Sequence, residues 1–247
     1  MIRVHDLHKS FGAKRVLNGV SFEVGRGESL VVIGGSGTGK SVLLKCLLGL
    51  ESADSGTIEI AGITRPRPHE LAAHVGMLFQ ASALFDSLPV WQNVAFRLMS
   101  GPARMGREKA RAAALEKLAR VGMAPESADL YPAELSGGMQ KRVGLARAIA
   151  GEPPILFFDE PTAGLDPILA TVINTLIREV VTEMGATAVT ITHDMRTLRD
   201  VADRVAMLHE GRFYWQGTAA EALANEDNPV LAQFIHGRIE GPIPTLR

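Results

Sequence analysis

The chain has a single cysteine, Cys46, among its 247 residues. One cysteine cannot form an internal disulfide, which excludes a disulfide-stapled secreted fold and is typical of a protein from a reducing compartment. We interpret Cys46 as a small buried residue on a helix. The seven histidines of the chain show no metal-ligand spacing, so the sequence predicts no structural metal site.

Long apolar runs and a strong charge of one sign are also missing. No apolar run approaches the roughly 20 residues that a membrane helix requires, and the N-terminal residues do not read as a signal peptide. We therefore expect a soluble chain, with other subunits crossing the membrane if it serves one. The formal net charge of −1 gives no net attraction for nucleic acid, and we expect no nucleic-acid partner.

A glycine-rich motif is present between an apolar run that predicts a strand and a second run that predicts a helix. Its residues are Gly34, Gly35, Ser36, Gly37, Thr38, Gly39, Lys40 and Ser41. They fit the phosphate-binding pattern G-x-x-x-x-G-K-[ST] in the strand–loop–helix context that this pattern needs. Backbone N–H groups are expected to surround the phosphates, Lys40 to reach the β- and γ-phosphates, and the Ser41 hydroxyl to bind Mg²⁺.

The pattern along the chain predicts an α/β fold built from two separated pieces of sequence. Strand-like alternation dominates the first third, helical patterning follows from about 83 to 150, and strands then return. The four large apolar residues at 155–158 are typical of a central strand buried on both faces. The predicted parts are an ATP-binding core at 1–83 and 152–225, a helical insert at 84–151, and a C-terminal tail at 226–247.

Four polar residues follow predicted strands at the end where α/β proteins bind their ligands. Asp159 and Glu160 come directly after the strand at 155–158, and we predict that Asp159 holds Mg²⁺ while Glu160 polarises the attacking water. His193 ends a later strand, where it would bond the γ-phosphate, although a lone histidine is more often structural. Gln80 also follows a strand, and a glutamine there can contact Mg²⁺ or water.

A second glycine element, Ser136-Gly137-Gly138, precedes a helix predicted to begin near residue 139, with Lys141 in its early turns. A serine cap, two glycines and free N–H groups make an anion site. One triphosphate needs only one phosphate-binding loop. The presence of both this element and the motif at 34–41 therefore suggests a site assembled from two copies of the chain. The residues themselves leave open whether this element meets its own phosphate loop or that of another copy.

These motifs, in this order, resemble those of the ATP-binding cassette ATPases over about residues 2–225. The matching elements are the Walker A motif at 34–41, Gln80, the LSGG signature at 135–138, the Walker B motif at 155–160, the D-loop at 164–166, and His193 as the switch histidine.

The resemblance implies a P-loop α/β domain with an N-terminal antiparallel β subdomain and an inserted helical subdomain, and an ATPase that uses ATP and Mg²⁺. It implies a head-to-tail homodimer in which ATP lies between the Walker A motif of one copy and the other copy's Ser136, Gly137, Gly138 and Asp166. It also strengthens the prediction that Gln80 and His193 have functional roles at the nucleotide. It also matches Phe11 to the aromatic residue that stacks on adenine, although a strand-end core phenylalanine explains Phe11 nearly as well.

A narrower resemblance involves residues 78–96 and 229–237, continuing to 241–244. Both segments are similar to those of the ATPases of the Mla (MCE-associated) phospholipid transporters. The resemblance implies a peripheral ATPase at the cytoplasmic side of a bacterial inner membrane. Its expected partners are a second copy of the chain, permease subunits, an MCE-domain protein and a STAS-domain protein.

The first of these segments has two open interpretations. Its apolar side chains either form a groove for a cytoplasmic helix of the permease or belong to the core of the helical insert; they are Ala83, Leu84, Phe85, Leu88 and Trp91. The proline-rich tail is likewise expected either to brace the neighbouring ATPase or to be a disordered end.

Three other functions compete with a phospholipid transporter. The same ATPase can serve another cargo, such as an amino acid or an ion. A soluble cassette ATPase acting on ribosomes or DNA is disfavoured, since such proteins usually carry two cassettes or a long coiled-coil insertion, and no basic stripe is evident. A nucleotide-binding regulator without turnover is disfavoured by the presence of Glu160 and His193.

Overall fold

A computed structural model describes residues 1–100 and 104–244 of the chain. The chain divides into two compact units, Met1–Leu71 with Val189–Arg247, and Ala72–Ala188. We call these the first and the second unit. Residues 101–103 of the predicted helical insert and residues 245–247 of the predicted tail lie outside the described residues.

The first unit begins with an alternation of strands and short helices. In chain order these are β1 (Ile2–Phe11), β2 (Lys14–Val24), β3 (Ser29–Ile33), α1 (Lys40–Leu47), β4 (Ser55–Ile60), β5 (Ile63–Thr64) and α2 (Pro68–Leu71).

The second unit carries most of the long helices. Its elements are β6 (Val75–Leu78), α3 (Val90–Ala95), α4 (Arg107–Arg120), two 3-10 turns (Pro125–Asp129 and Pro132–Glu134), α5 (Gly137–Ile149), β7 (Ile155–Asp159) and α6 (Pro167–Met184). The next strand, β8 (Thr187–Ile191), runs across the division between the units. The first unit then ends with α7 (Met195–Val201), β9 (Arg204–His209), β10 (Arg212–Thr218), α8 (Ala219–Ala224) and α9 (Pro229–His236).

An antiparallel sheet forms the N-terminal part of the first unit, with strand order β2–β1–β4–β5 among the described residues. Val4 pairs with Phe22 of β2 and with Ile58 of β4. All three side chains are buried, and exposed residues alternate with buried ones along β1. This period of two places the apolar face of the sheet inward. The expected antiparallel β subdomain is therefore confirmed.

Parallel strands supply the α/β part of the fold. In the first unit β3 runs parallel to β9, with Leu30 opposite Arg204, and in the second unit β6 runs parallel to β7, with Val75 opposite Ile155. All of β3 and the first four residues of β7 are buried, as expected for strands covered on both faces. The predicted α/β fold class is confirmed.

Local capping signals set the bounds of α6. Asp166 is its N-cap, accepting hydrogen bonds from the backbone N–H groups of Ile168 at 2.9 Å and Leu169 at 3.1 Å. Pro167 occupies the first turn, where its missing N–H costs nothing. Gly185, with a φ of 58°, ends the helix in the left-handed conformation. These signals act locally, so the residue types at the two ends account for the bounds of the helix.

One face of α6 is buried through Ala170, Ile173, Ile177 and Val181, while residues between them are exposed. The helix is therefore amphipathic and packs on one side only. Within residues 1–100 and 104–244, no helix has both the length and the apolar character needed to cross a bilayer.

The described part of the C-terminal tail is tied to α9. The buried side-chain amide of Gln233 donates to the carbonyl of Ile243 at 3.0 Å and accepts from its N–H at 2.7 Å. Gly241 lies so close that a Cβ there would come within 2.4 Å of the Gln233 side chain. Bracing of a neighbouring ATPase by the tail stays a prediction.

Cys46 is buried in α1, and burial raises the pKa of its thiol to about 11. Only the thiolate reacts with alkylating reagents, so at pH 8 the raised pKa makes the reactive fraction about 100-fold smaller than that of a thiol with the ordinary pKa of 9.0. We expect iodoacetamide to label the native chain far more slowly than the unfolded chain in guanidinium, measured by mass spectrometry. Equal rates would contradict the burial of Cys46.

Candidate functional site

The glycine-rich motif forms a loop between β3 and α1 in the first unit. Gly34, Gly37 and Gly39 have φ angles of 156°, 75° and 106°, a region that side chains with a Cβ rarely adopt. The ammonium of Lys40 donates to the carbonyls of Gly34 at 2.7 Å and Gly35 at 2.9 Å. The side chain of Lys40 therefore lies along the inside of the loop and is itself nearly buried.

The start of α1 completes an anion cradle. Gly39 is the N-cap residue and supplies no side-chain cap, so the N–H groups of the first turn are not capped by a local side chain. The positive end of the helix dipole points into the same loop. Thr38 closes the loop from within by donating its hydroxyl to the carbonyl of Gly35 at 2.9 Å. This is the arrangement that binds phosphate in strand–loop–helix motifs.

Gly34 is the tightest point of the loop, and its substitution gives a direct test of the geometry. A Cβ on Gly34 would come within 2.4 Å of the carbonyl oxygen of Leu208. We expect Gly34→Ala to lower the free energy of unfolding by about 2–4 kcal/mol and to weaken nucleotide binding. Gly106→Ala is the control, because in the part of the chain that the structure describes no atom beyond the adjacent residues lies within 4 Å of a Cβ at that position. Equal denaturant midpoints for the two variants would contradict this geometry.

Phe11 lies beside the loop at the end of β1. Its side chain is 47% exposed, and the Lys9 ammonium is 4.9 Å from the centre of its ring. A cleft of about 270 Å³ adjoins the loop and is lined by Phe11, Lys14, Val16, Gly37, Gly39, Lys40, Ser41 and Val42. Phe11 is therefore not a core residue, and its ring is available to a flat ligand group next to the phosphate cradle.

His193 follows the end of β8, on the same side of the first unit as the loop. The N–H of Thr192 donates to the carbonyl of Val32 in β3 at 3.1 Å, which places the chain after β8 beside the strand that leads into the loop. His193 is exposed. Asp194 then begins α7 by accepting from the N–H of Arg196 at 2.9 Å. His193 thus lies two residues beyond the end of β8, and its contact with the γ-phosphate stays a prediction.

In the second unit, β7 ends at Asp159, and Glu160 begins the following loop. Glu160 has a φ of 46°, which is uncommon for a residue with a side chain and costs about 1–3 kcal/mol. Its carbonyl accepts a hydrogen bond from the N–H of Ala163 at 3.1 Å. Such strain is concentrated at functional sites, and no signal in the sequence reveals it.

Gln80 comes two residues after β6 ends and is exposed. Two of the residues that follow, Ser82 and Ala83, also have positive φ angles, of 58° and 48°. Ser82 is buried nevertheless. The loop that begins at Gln80 is therefore held in a sharply defined backbone conformation.

Ser136 is the N-cap residue of α5, and its hydroxyl oxygen accepts from the N–H of Met139 at 3.3 Å. The helix begins at Gly137, two residues before the predicted start at 139, because the first glycine already has helical geometry. Ser136 and Gly137 are exposed. Gly138 is buried against α6, where a Cβ would lie 3.3 Å from the Leu169 side chain.

The two basic residues in the early turns of α5 do not face the anion site at its N-terminus. Arg142 donates to the carbonyls of Val121 at 3.2 Å and Gly122 at 3.0 Å. Lys141 is buried and donates to the carbonyls of Gln80 and Glu160, the latter at 3.4 Å. Sequence reasoning missed both contacts, since they join residues 19 to 61 positions apart in the chain.

Asp166 caps α6 and is exposed. Ile168 and Leu169, whose N–H groups donate hydrogen bonds to its carboxylate, are exposed as well. Ile168 is 77% exposed, which is unusual for a large apolar side chain on a helix. The D-loop region of the second unit therefore presents both a carboxylate and apolar surface to the outside.

The segment after Gln80 is divided between the core and the surface, so its two interpretations apply to different residues. Trp91 is buried, with the Arg107 guanidinium 4.9 Å from the centre of its ring, and belongs to the core of the second unit. Phe85 and Phe96 are each 42% exposed and lie with ring centres 4.5 Å apart. Asn93, which sequence reasoning missed, is fully buried and bonds both the N–H of Phe85 at 2.7 Å and its carbonyl at 3.1 Å.

The donor chemistry of the predicted residues fits Mg²⁺. Ser41 offers a hydroxyl, Asp159 a carboxylate and Gln80 an amide oxygen, and Mg²⁺ prefers such oxygen ligands together with substrate phosphates and water. Among the described residues there is no group of three or more His, Cys, Asp or Glu side chains able to hold a metal alone. The oxygen donors of Ser41, Asp159 and Gln80 suit an ion that arrives with its nucleotide.

Known proteins match this chain in sequence along nearly its full length. The family model of the ABC transporters matches residues 17–163. The chloroplastic protein TRIGALACTOSYLDIACYLGLYCEROL 3 of Arabidopsis thaliana is 41% identical over 98% of this chain and 75% of its own length. The methionine import ATP-binding protein MetN of Rhizobium etli is 40% identical over 96% of this chain and 66% of its own length. The probable ribonucleotide transport ATP-binding protein mkl of Mycobacterium bovis is 39% identical, over 98% and 68% respectively.

Solved structures match the fold. The dimeric cassette MJ0796 bound to ADP and Pi, in a post-hydrolysis state, superposes with a TM-score of 0.80 at 30% identity, over 89% of this chain and 99% of that chain. The cassette cbiO1 of Clostridium perfringens superposes with a TM-score of 0.82 at 30% identity, over 96% of both chains. The similarity in sequence and the similarity in fold therefore point to the same family as the phosphate loop and the motifs around it. The chain belongs to the ABC transporter family and is an ATP-hydrolysing cassette that uses ATP with Mg²⁺.

Proposed function

We propose that this ATPase powers phospholipid transport between the inner and outer membranes of a Gram-negative bacterium, as a transporter ATPase of the Mla (MCE-associated) type. It works as a head-to-tail homodimer at the cytoplasmic face of the inner membrane. ATP binding closes the dimer, closure moves the permease subunits, and hydrolysis resets them. An MCE-domain protein and a STAS-domain protein complete the assembly.

The observation that carries this proposal is the exposed aromatic pair Phe85 and Phe96. Both lie within 78–96, the segment that resembles the phospholipid ATPases, and each side chain is 42% exposed. An exposed aromatic pair, in a segment whose backbone at Phe85 is hydrogen-bonded to the buried Asn93, suits a groove for a partner helix. A relative named for a galactolipid, at 41% identity over 98% of the chain, supports a lipid cargo.

We assign the reaction as follows. Residues 34–41 hold the triphosphate, with the Lys40 ammonium on the β- and γ-phosphates, and Phe11 stacks on adenine. Ser41, Gln80 and Asp159 hold Mg²⁺, which supplies positive charge to the phosphates.

The Glu160 carboxylate accepts a proton from the attacking water, and the exposed His193 side chain donates a hydrogen bond to the γ-phosphate. The partner copy contributes its own signature serine and glycines, at 136–138, and its Asp166. The exposure of Ser136 and Gly137 favours this contribution in trans.

The helical insert at 84–151 carries both the aromatic pair and the signature. In this assignment the insert is the part of the chain that faces the permease, while the core at 1–83 and 152–225 carries the nucleotide chemistry. The exposed loop at Gln80 connects the two roles.

A reconstituted transporter tests the cargo. The ATPase is purified with its permease and MCE-domain protein and placed in vesicles that contain a fluorescent phospholipid. We expect ATP-dependent movement of the lipid to acceptor vesicles. We further expect Phe85→Ala with Phe96→Ala to lose binding to the permease while keeping hydrolysis by the ATPase alone. Tyr214→Ala, at an aromatic residue that is 47% exposed elsewhere, is the matched control and should behave as wild type.

A second cargo class is favoured by the methionine importer of Rhizobium etli, whose identity of 40% nearly equals that of the lipid-named relative. The same vesicles therefore receive labelled methionine in a parallel experiment. ATP-dependent methionine uptake without lipid movement would replace the phospholipid proposal with an amino-acid transporter.

A further inference from the structure

Helix α5 carries a buried ammonium at a place where an apolar side chain would ordinarily sit. Lys141 is 5% exposed, and burial lowers the pKa of its ammonium, although the charges of Asp159 and Glu160 raise it in part. A buried charge is costly unless hydrogen bonds satisfy it. Here the ammonium donates to the main-chain carbonyls of Gln80 and Glu160.

Those two carbonyls belong to the two loops of the second unit to which we assign Mg²⁺ contact and water activation. Glu160 itself has the strained φ of 46°, so a hydrogen bond to its carbonyl fixes the peptide that orients the carboxylate. A single side chain thus contacts both loops at once.

The same face of α5 continues this contact two turns later. Arg147 donates to the carbonyls of Ser82 at 2.5 Å and Ala83 at 2.7 Å, which are the two left-handed residues of the loop after Gln80. Gly144 lies between the two basic residues, and a Cβ there would come within 2.7 Å of Leu78. The same Cβ would lie 3.4 Å from the Cβ of Ser82, so the helix packs closely both on the end of β6 and on this loop.

We propose that Lys141 is a positioning residue for ATP hydrolysis, which links the signature helix to the backbone of Gln80 and Glu160. The inference rests on the roles proposed above for those two residues and for the signature. Ser136 begins α5 one and a half turns before Lys141, so a displacement of the helix when the signature meets the partner's nucleotide moves Lys141 with it. The ammonium passes that displacement to both loops and brings the Glu160 carboxylate to its working position.

Three substitutions test the link in the full chain. Lys141→Met removes the donor and keeps the length, Lys141→Gln keeps a neutral donor, and Lys141→Arg keeps the charge. Arg142→Met is the matched control, because Arg142 is the neighbouring basic residue and also donates to two backbone carbonyls, but at Val121 and Gly122. The readouts are kcat and KM for MgATP, affinity for a non-hydrolysable ATP analogue, and the thermal midpoint.

We expect Lys141→Met to lower kcat about 10–100-fold, the size of effect that a misplacement of about 1 Å produces, with KM and analogue affinity nearly unchanged. Lys141→Arg should restore most of kcat, Lys141→Gln should fall between, and Arg142→Met should keep the wild-type kcat. If Lys141→Met does not fold, the kcat values of the other proteins still test the proposal: kcat should fall from wild type to Lys141→Arg and further to Lys141→Gln. Wild-type kcat in the Met or Gln variant, or an equal loss in Arg142→Met, would overturn the proposal.

Measuring Glu160→Gln in parallel distinguishes a failure of the Lys141 proposal from a failure of the proposed role of Glu160 in ATP hydrolysis. If Glu160→Gln is inactive while Lys141→Met is fully active, only the role of Lys141 is wrong. If Glu160→Gln keeps its turnover, the assigned role of Glu160 is wrong, and the inference on Lys141 falls with it.

Discussion

Replacing Glu160 by glutamine is expected to reduce kcat for ATP hydrolysis by about 10²–10⁴-fold, the usual contribution of a general base. The amide keeps the shape of the side chain and the strained backbone, but it cannot accept the proton of the attacking water. Binding of MgATP should remain, because the phosphate cradle lies in residues 34–41. Phosphate release under single-turnover conditions and equilibrium binding of a fluorescent ATP analogue measure the two effects separately.

Glu210 provides the matched control for that substitution. It is also a glutamate in the left-handed conformation, with a φ of 48° compared with 46° for Glu160, and it lies exposed in the turn between β9 and β10. Glu210→Gln should therefore leave kcat unchanged. Undiminished hydrolysis by Glu160→Gln would remove Glu160 from the reaction and direct attention to another base.

The second large effect is expected at Lys40. Lys40→Ala removes a charged donor to the phosphates and the two hydrogen bonds that the ammonium makes to Gly34 and Gly35. Charge-assisted hydrogen bonds contribute about 1.5–3 kcal/mol each, so MgATP affinity should fall at least about 10–100-fold. Isothermal titration with MgATP gives this directly.

Lys45→Ala is the control for Lys40→Ala, since Lys45 is an exposed lysine near the end of the same helix. It should bind MgATP as wild type does and unfold at a similar temperature. Wild-type affinity in Lys40→Ala would contradict the assignment of residues 34–41 as the triphosphate cradle.

Sequence patterns predicted those parts of the fold that depend on local chemistry. The bounds of α6 follow from Asp166, Pro167 and Gly185, all of which act on their own backbone or their immediate neighbours. The buried strand β7 follows from its four large apolar residues. The phosphate loop follows from the spacing of its glycines, because few other residues tolerate the φ angles there.

The remaining features depend on contacts between distant residues, which a single sequence does not contain. Lys141 lies in the early turns of a helix, next to the predicted anion site. Its side chain is nevertheless buried, because its ammonium donates hydrogen bonds to the carbonyls of Gln80 and Glu160. Trp91 is an apolar residue that the sequence places equally well in a groove or in the core, yet it is buried with the Arg107 guanidinium over its ring. The left-handed φ angles of Glu160 and Ser82 are imposed by their surroundings and leave no residue-type signal.

We propose that one chain supplies half of each of two ATP sites. Sedimentation velocity of the Glu160→Gln protein with MgATP tests it most directly, because this variant is expected to bind ATP without consuming it. We predict an ATP-dependent dimer for Glu160→Gln, and its loss when Ser136→Arg is added, with ATP still bound to the monomer. Ser52→Arg, at another exposed serine, should leave the dimer intact. A dimer that survives Ser136→Arg unchanged would contradict the shared site.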